Sequence, residues 1–102
     1  MVQALFDEVA ERLLREDEAV EQTRMMGSDG LKTGGKLFAM VSKGELVVKL
    51  PRERVDELVE AGAGHRFDPG HGRLMKEWVA LMPADAEACA GYVTDARHFV
   101  GG

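Results

Sequence analysis

The chain has 102 residues, of which 45% are hydrophobic and 30% charged. This length suits a single domain over residues 1–102 with one core, and the composition excludes disordered and collagen-like chains. No apolar run approaches the roughly 20 residues of a membrane-spanning helix, and the acidic N-terminus is unlike a signal peptide, so we expect a cytoplasmic protein without a membrane segment.

The net charge of −5 is concentrated in one part of the chain. Residues 1–21 hold seven acids against two bases, and the rest of the sequence is balanced. An acidic protein lacks the long-range attraction to phosphate that drives non-specific nucleic-acid binding, so we do not expect direct contact with nucleic acid. A local excess of bases favours an alternative function, that of a DNA-associated regulator. These bases are Arg24, Lys32, Lys36, Lys43 and Lys49.

The first predicted element is an amphipathic helix that runs to about Val20. Apolar residues recur at three- and four-residue spacing, which places them on one helix face. They are Val2, Leu5, Phe6, Val9, Ala10 and Leu13. The acids lie on the other face, which is either a solvated surface or a surface that binds a partner.

The segment from Gln22 to Leu50 favours strands, because its glycines leave pieces too short for a sizeable helix. Lys36–Ser42 and Glu45–Leu50 are aliphatic runs joined at Lys43-Gly44, which predicts a hairpin. Arg24–Met26 is predicted to add a short strand, and 28–34 to form a glycine-rich loop. Gly30, Gly35 and Lys36 nearly match a phosphate-binding loop, but Leu37 replaces the required hydroxyl.

The second half of the chain predicts helix, loop, strand and helix. Pro51 is suited to open a helix, which Gly62 ends in a left-handed cap. Residues 62–72 are expected to form a loop with an extended piece near Arg66, and 74–82 a strand. Helical spacing then runs through Ala88, Cys89, Tyr92, Val93, Ala96, Phe99 and Val100, with Cys89 as a buried thiol. Such an order predicts an α+β domain with helices against an antiparallel sheet.

Four pieces of the sequence together resemble the N-terminal domain of TfoX/Sxy-type competence regulators. They are Arg-Met-Met-Gly at 24–27, Gly-Lys-Leu-Phe-Ala-Met at 35–40, Leu-Val-Val-Lys-Leu at 46–50 and Gly-Arg-Leu-Met-Lys-Glu-Trp-Val at 72–79. The match covers nearly the whole chain, so we expect a stand-alone copy of that domain. The resemblance implies a secretion-chaperone-like two-layer sandwich, ordered α-β-β-β-α-β-β-α, and it implies no reaction.

The best candidate ligand site is the basic, glycine-rich turn between 65 and 76. Its cationic side chains and backbone N–H groups suit a carboxylate or phosphate. The residues are Arg66, His71, Arg73 and Lys76. His65, Asp68, His71 and His98 lack the spacing of a metal site, so we expect no metal and no cofactor.

No spacing of nucleophile and base indicates catalysis, although such groups can converge from distant positions. The leading hypothesis is therefore a non-catalytic regulatory or protein-interaction domain, acting on a protein partner or by self-association into a homodimer. The alternative is a protein that binds a small molecule or an anion through the turn between 65 and 76. One version of this alternative is an enzyme that uses the same turn.

Overall fold

In a computed structural model, the described part of the chain, residues 1–25, 28–68 and 75–102, forms three helices and one six-stranded antiparallel sheet. The helices are α1 (Val2–Glu16), α2 (Arg52–Glu60) and α3 (Ala86–Gly101). The strands are β1 (Val20–Met25), β2 (Ser28–Thr33), β3 (Lys36–Ser42), β4 (Glu45–Lys49), β5 (Gly64–Arg66) and β6 (Trp78–Leu81). Their order in the sheet is β1-β2-β3-β4-β6-β5. The predicted α+β class, with helices packed on an antiparallel sheet, is confirmed.

The three described helices cover the same face of the sheet. Their buried residues belong to one hydrophobic core, which takes Leu46 and Val48 from β4 and leaves out Val47 between them. Because successive side chains of a strand point to opposite faces, this core lies on one side of β4. Helices α1 and α3 contact each other and the strands up to β4, whereas α2 packs on β5 and β6. The domain therefore has two layers, one of helices and one of sheet.

Helix α1 has the predicted apolar stripe but is shorter than expected. Val2, Phe6 and Val9 are buried, as the spacing predicts. The helix ends at Glu16, because Asp17 adopts an extended conformation and its Oδ1 accepts a hydrogen bond from the N–H of Ala19 at 3.0 Å. Short polar side chains of this kind compete with helical hydrogen bonds. Val20, predicted to close the helix, is the first residue of β1.

The segment predicted as a glycine-rich loop is the strand β2, so four strands precede α2 where three were expected. A Cβ at Gly30 would lie 2.9 Å from Leu37 Cδ1 and 3.2 Å from the carbonyl oxygen of Ala39. Glycine at this position therefore permits the close approach of β2 to β3, and it is not the mark of a flexible loop. Gly34 and Gly35, with φ of 57° and 78°, form the two-residue turn that follows.

The remaining elements are close to the prediction. Lys43 and Gly44 both have positive φ and join β3 to β4. Gly62 has φ of 76° just after α2, as expected of its cap. The last strand is shorter than predicted: it begins at Trp78, and the first residue of the predicted strand, Leu74, lies outside the described residues.

Candidate functional site: the open face of the sheet

The face of the sheet opposite the helices carries no covering layer among the residues that the structure describes. Side chains that alternate with the core positions point to this side. We call it the open face. Its residues, placed by strand register, include Glu21, Thr23, Gly30, Lys32, Leu37, Met40, Ser42, Glu45, Val47, Lys49, His65, Trp78 and Ala80.

An apolar row crosses the middle of the open face. The register places Met40 beside Val47 and Val47 beside Ala80. Val47 is 0% and Ala80 1% exposed, although no described helix packs on them. Cross-strand neighbours on one face lie about 5 Å apart, so Val47 packs between Met40 and Ala80. Met40 and Trp78 are half-buried, so apolar surface of this face remains in contact with water.

Two central strands are apolar on both faces. Leu46, Val47 and Val48 are consecutive in β4 and all 0% exposed, and residues 79–81 of β6 are at most 1% exposed. A strand with one solvated face alternates apolar and polar residues, whereas an unbroken apolar run is typical of a sheet covered on both faces. These strands therefore have the composition of a sheet that carries a second covering layer.

Two charged pairs border the apolar row. His65 Nε2 lies 2.8 Å from Glu45 Oε2, and Lys49 Nζ lies 3.9 Å from Glu77 Oε1. The hydrogen bond to Glu45, and a second one from the His65 ring to the carbonyl of Arg66, raise the pKa of His65 above 6.5. The open face consequently presents little net charge around its apolar row.

A cavity of about 630 Å³ lies where the open face meets the N-terminal end of α3. Glu45, His65 and Met82 line it together with Tyr92 of α3. Met82 is 64% exposed, which is unusual for a large apolar side chain. The cavity and Met82 extend the apolar surface beyond the end of β6.

The cavity lining combines polar and apolar side chains. Among the described residues that line it there is no serine, threonine or cysteine that His65 could activate as a nucleophile. The hydrogen bond to Glu45 raises the pKa of His65. Cys89, the one thiol of the sequence, is 0% exposed in the core, where burial raises its pKa to about 11. Such a thiol is not a nucleophile at neutral pH.

The predicted ligand site between 65 and 76 is described only in part. Arg66 is half-buried and its guanidinium donates a hydrogen bond to the carboxylate of Asp56 on α2, so this cation is already engaged. Lys76 is exposed in the turn before β6. His71 and Arg73 lie outside the described residues, so their part of the site remains a prediction. Within the described ranges no group of three histidine, cysteine or acidic residues is close enough to hold a metal ion.

The bases that would serve a DNA-associated regulator do not share one surface. Arg24 lies on the helix side of β1, where it faces Asp29 at 3.9 Å. Lys32 and Lys49 follow the open-face register, Lys36 begins β3, and Lys43 lies in the turn after that strand. This separation leaves no continuous basic stripe among these five residues.

The acids near the N-terminus are also divided between elements. Glu11 lies on α1, where Arg15 approaches it at 3.8 Å. Glu18 lies in the turn after the helix, and Glu21 lies on β1. Since α1 ends at Glu16, the predicted acidic helix face covers fewer of these residues than the periodicity indicated.

Sequence reasoning missed Glu45, Val47 and His65 as site residues. The signal for Val47 was the uninterrupted apolar run Leu46-Val47-Val48, which indicates burial on both faces. The contact between Glu45 and His65, 20 residues apart, had no local signal.

No helix in the described ranges has the length and apolar character needed to cross a bilayer. No curated protein and no solved structure matches the sequence at a significant level. The family model of the TfoX N-terminal domain matches residues 12–95, which include every described strand, α2, the end of α1 and most of α3. A match over most of the chain shows that this protein belongs to the TfoX N-terminal domain family.

Proposed function

We propose that this protein is a non-catalytic interaction domain of a regulatory system and that it binds protein through the open face. Membership of the TfoX N-terminal domain family supports a regulatory role. The observation that carries the proposal is the half-buried apolar surface of Met40 and Trp78 on a face without a covering helix in the described chain. A partner that covers this face would remove the remaining water from an apolar row that is already packed.

The charges of the open face suit a protein partner better than nucleic acid. Glu45 and Glu77 neutralise the two cations nearest to the row, His65 and Lys49. Binding to a phosphate backbone needs unpaired cations, since displacement of counterions supplies its free energy. An apolar row with a paired, polar border has the anatomy of a protein interface.

Site-specific photo-crosslinking in cells tests the proposal. A photo-reactive phenylalanine analogue replaces Met40 on the open face, and in a matched control it replaces Glu11 on the exposed side of α1. We expect a discrete protein adduct at position 40 and none at position 11. The absence of any adduct at position 40, in a variant with the thermal stability of the native protein, would contradict the proposal.

A second arm addresses the acidic surface. Replacement of Glu11, Glu18 and Glu21 by lysine reverses three negative charges, of which Glu11 and Glu18 lie off the sheet and Glu21 lies at the β1 edge of the open face. We expect the adduct at position 40 to persist in this triple variant. Loss of the adduct would instead assign partner binding to the acidic residues.

The cavity beside Glu45 and His65 favours a second candidate function, the binding of a small molecule. Its volume of about 630 Å³ is in the range of ligand sites, and His65 and Tyr92 offer polar groups. A ligand-induced rise in Tm that is lost in His65→Ala would support this function. A library of small amphipathic molecules with hydrogen-bonding groups is the appropriate probe, because the lining combines apolar side chains with Glu45, His65 and Tyr92.

A further inference from the structure

We propose that the layer missing from the open face is a second copy of this chain, packed face to face about a two-fold axis. The axis runs across the strands along the row Met40, Val47 and Ala80, so that each strand lies antiparallel to its own copy. This inference rests on the proposed function, which assigns the open face as the interaction surface, and it names the partner.

The charge order along β4 favours this arrangement. The open-face residues of β4 are Glu45, Val47 and Lys49, an acid and a base on either side of a buried apolar residue. Rotation by 180° about an axis through Val47 places Glu45 opposite the partner's Lys49, and Lys49 opposite the partner's Glu45. Packed sheets lie about 10 Å apart. Facing glutamate and lysine side chains are long enough to span that gap.

The order of large and small side chains along β6 favours the same axis. Its open-face residues are Trp78 and Ala80, and Met82 continues the alternation just after the strand. The same rotation places Trp78 opposite the partner's Met82 and brings the two small Ala80 side chains together at the axis. Sulfur and aromatic rings make favourable contacts. The 64% exposed Met82 would thereby acquire an apolar partner.

The net charge of −5 does not prevent this dimer, because most of the N-terminal acids lie away from the open face. Asp7, Glu8 and Glu11 are exposed on α1, in the helix layer. Face-to-face packing of the sheets keeps the two helix layers on the outside, far from each other. On the open face, Glu45 and Lys49 already have partners of opposite charge, His65 and Glu77. Two copies therefore meet through their least charged surfaces.

Charge reversal at positions 45 and 49 tests the register. In Glu45→Lys, each new lysine faces a lysine of the other copy, and in Lys49→Glu each new glutamate faces a glutamate. We expect each variant alone to dimerise at least tenfold more weakly than the wild type. In an equimolar mixture of the two variants every cross-pair is attractive, so we expect a heterodimer. Sedimentation equilibrium gives the dimer constants, and native mass spectrometry identifies the heterodimer.

Three controls distinguish an effect on the register of the dimer from an effect on folding. Glu11→Lys changes the same charge on α1 and should leave the dimer constant unchanged. His65→Gln removes the contact that Glu45→Lys also removes, and its Tm shows how much stability each copy loses with that contact alone. The double variant Glu45→Lys with Lys49→Glu restores attraction within a homodimer and should dimerise like the wild type.

The outcomes also separate this inference from the proposed function. A wild-type protein that stays monomeric at high micromolar concentration overturns the dimer, and so does a mixture of the two charge variants that forms no heterodimer. If the adduct at position 40 then contains a different protein, the open face is still an interaction surface. A wild-type dimer, weakened in both variants and recovered in their mixture, supports the dimer and its antiparallel register.

Discussion

Arg97 on α3 donates a hydrogen bond from Nε to Oδ2 of Asp17 at 2.9 Å, and so joins the last helix to the turn that follows the first. The two side chains are 16% and 27% exposed, well below the exposed pair Arg15 and Glu11. Helices α1 and α3 contact each other, so this bond closes the helix layer at the end of α1.

Arg97→Ala should lower the Tm by a few degrees, because it leaves the half-buried carboxylate of Asp17 without its cation. The hydrogen bond from Arg97, and the one from the N–H of Ala19, lower the pKa of Asp17 below 3.8. The stabilisation is therefore present above pH 3.8 and is lost as the pH falls through the lower, folded-state pKa. Thermal unfolding of wild type and Asp17→Asn should converge in this acid range. Glu11→Gln, which removes the exposed pair, should leave the Tm nearly unchanged.

His65 should give a pH dependence of the opposite sign. Its pKa is raised above 6.5 through Glu45, so the pair stabilises the protein below pH 6.5 and this contribution is lost as the pH rises through the folded-state pKa. The side chain is 62% exposed, so the effect should stay below about 1 kcal/mol. NMR titration of the His65 ring measures the pKa directly. In Glu45→Gln it should fall, and an unchanged value would show that the pair does not form in solution.

Cys89 should be unreactive in the native protein. It is 0% exposed, so a reagent has no access to the sulfur atom. Its pKa is raised to about 11, so the reactive thiolate form is scarce at neutral pH. An aromatic disulfide reagent should label it at the rate of unfolding, and urea should accelerate the reaction. Cys89→Ser should cost about 1–3 kcal/mol, since it buries a hydroxyl in the apolar core. Rapid labelling without denaturant would contradict the position of Cys89.

Two glycines should respond to alanine with opposite signs. Gly30→Ala adds a Cβ that would lie 2.9 Å from Leu37 Cδ1 and 3.2 Å from a backbone oxygen, so it should destabilise the protein by about 1–3 kcal/mol. Gly91 lies inside α3 with no atom within 4 Å of its added Cβ. Gly91→Ala should therefore stabilise the protein by up to about 1 kcal/mol, the difference in helix propensity. Urea unfolding of both variants checks the pair, and equal signs would contradict this account of Gly30.

Local patterns were sufficient for most elements. The apolar stripe of α1 and the turn at Lys43-Gly44 follow from spacing and from residues that tolerate positive φ. Strand β2 was not predicted because its evidence is non-local: Gly30 is required by Leu37 and Ala39 of the next strand. The end of α1 was missed although its signal is local, since Asp17 accepts a hydrogen bond from the N–H of Ala19. The bond between Asp17 and Arg97, 80 residues away, had no local signal.

The sequence by itself determined the α+β class, the apolar stripe of α1 and the membership of the TfoX N-terminal family. Such features depend on residue type and spacing, which the chain carries locally. Only the tertiary structure decided that the described helices share one side of the sheet, and that Glu45 meets His65 while Arg66 meets Asp56. Those relations depend on which face each helix packs against, and that choice is made by contacts between residues far apart in the chain.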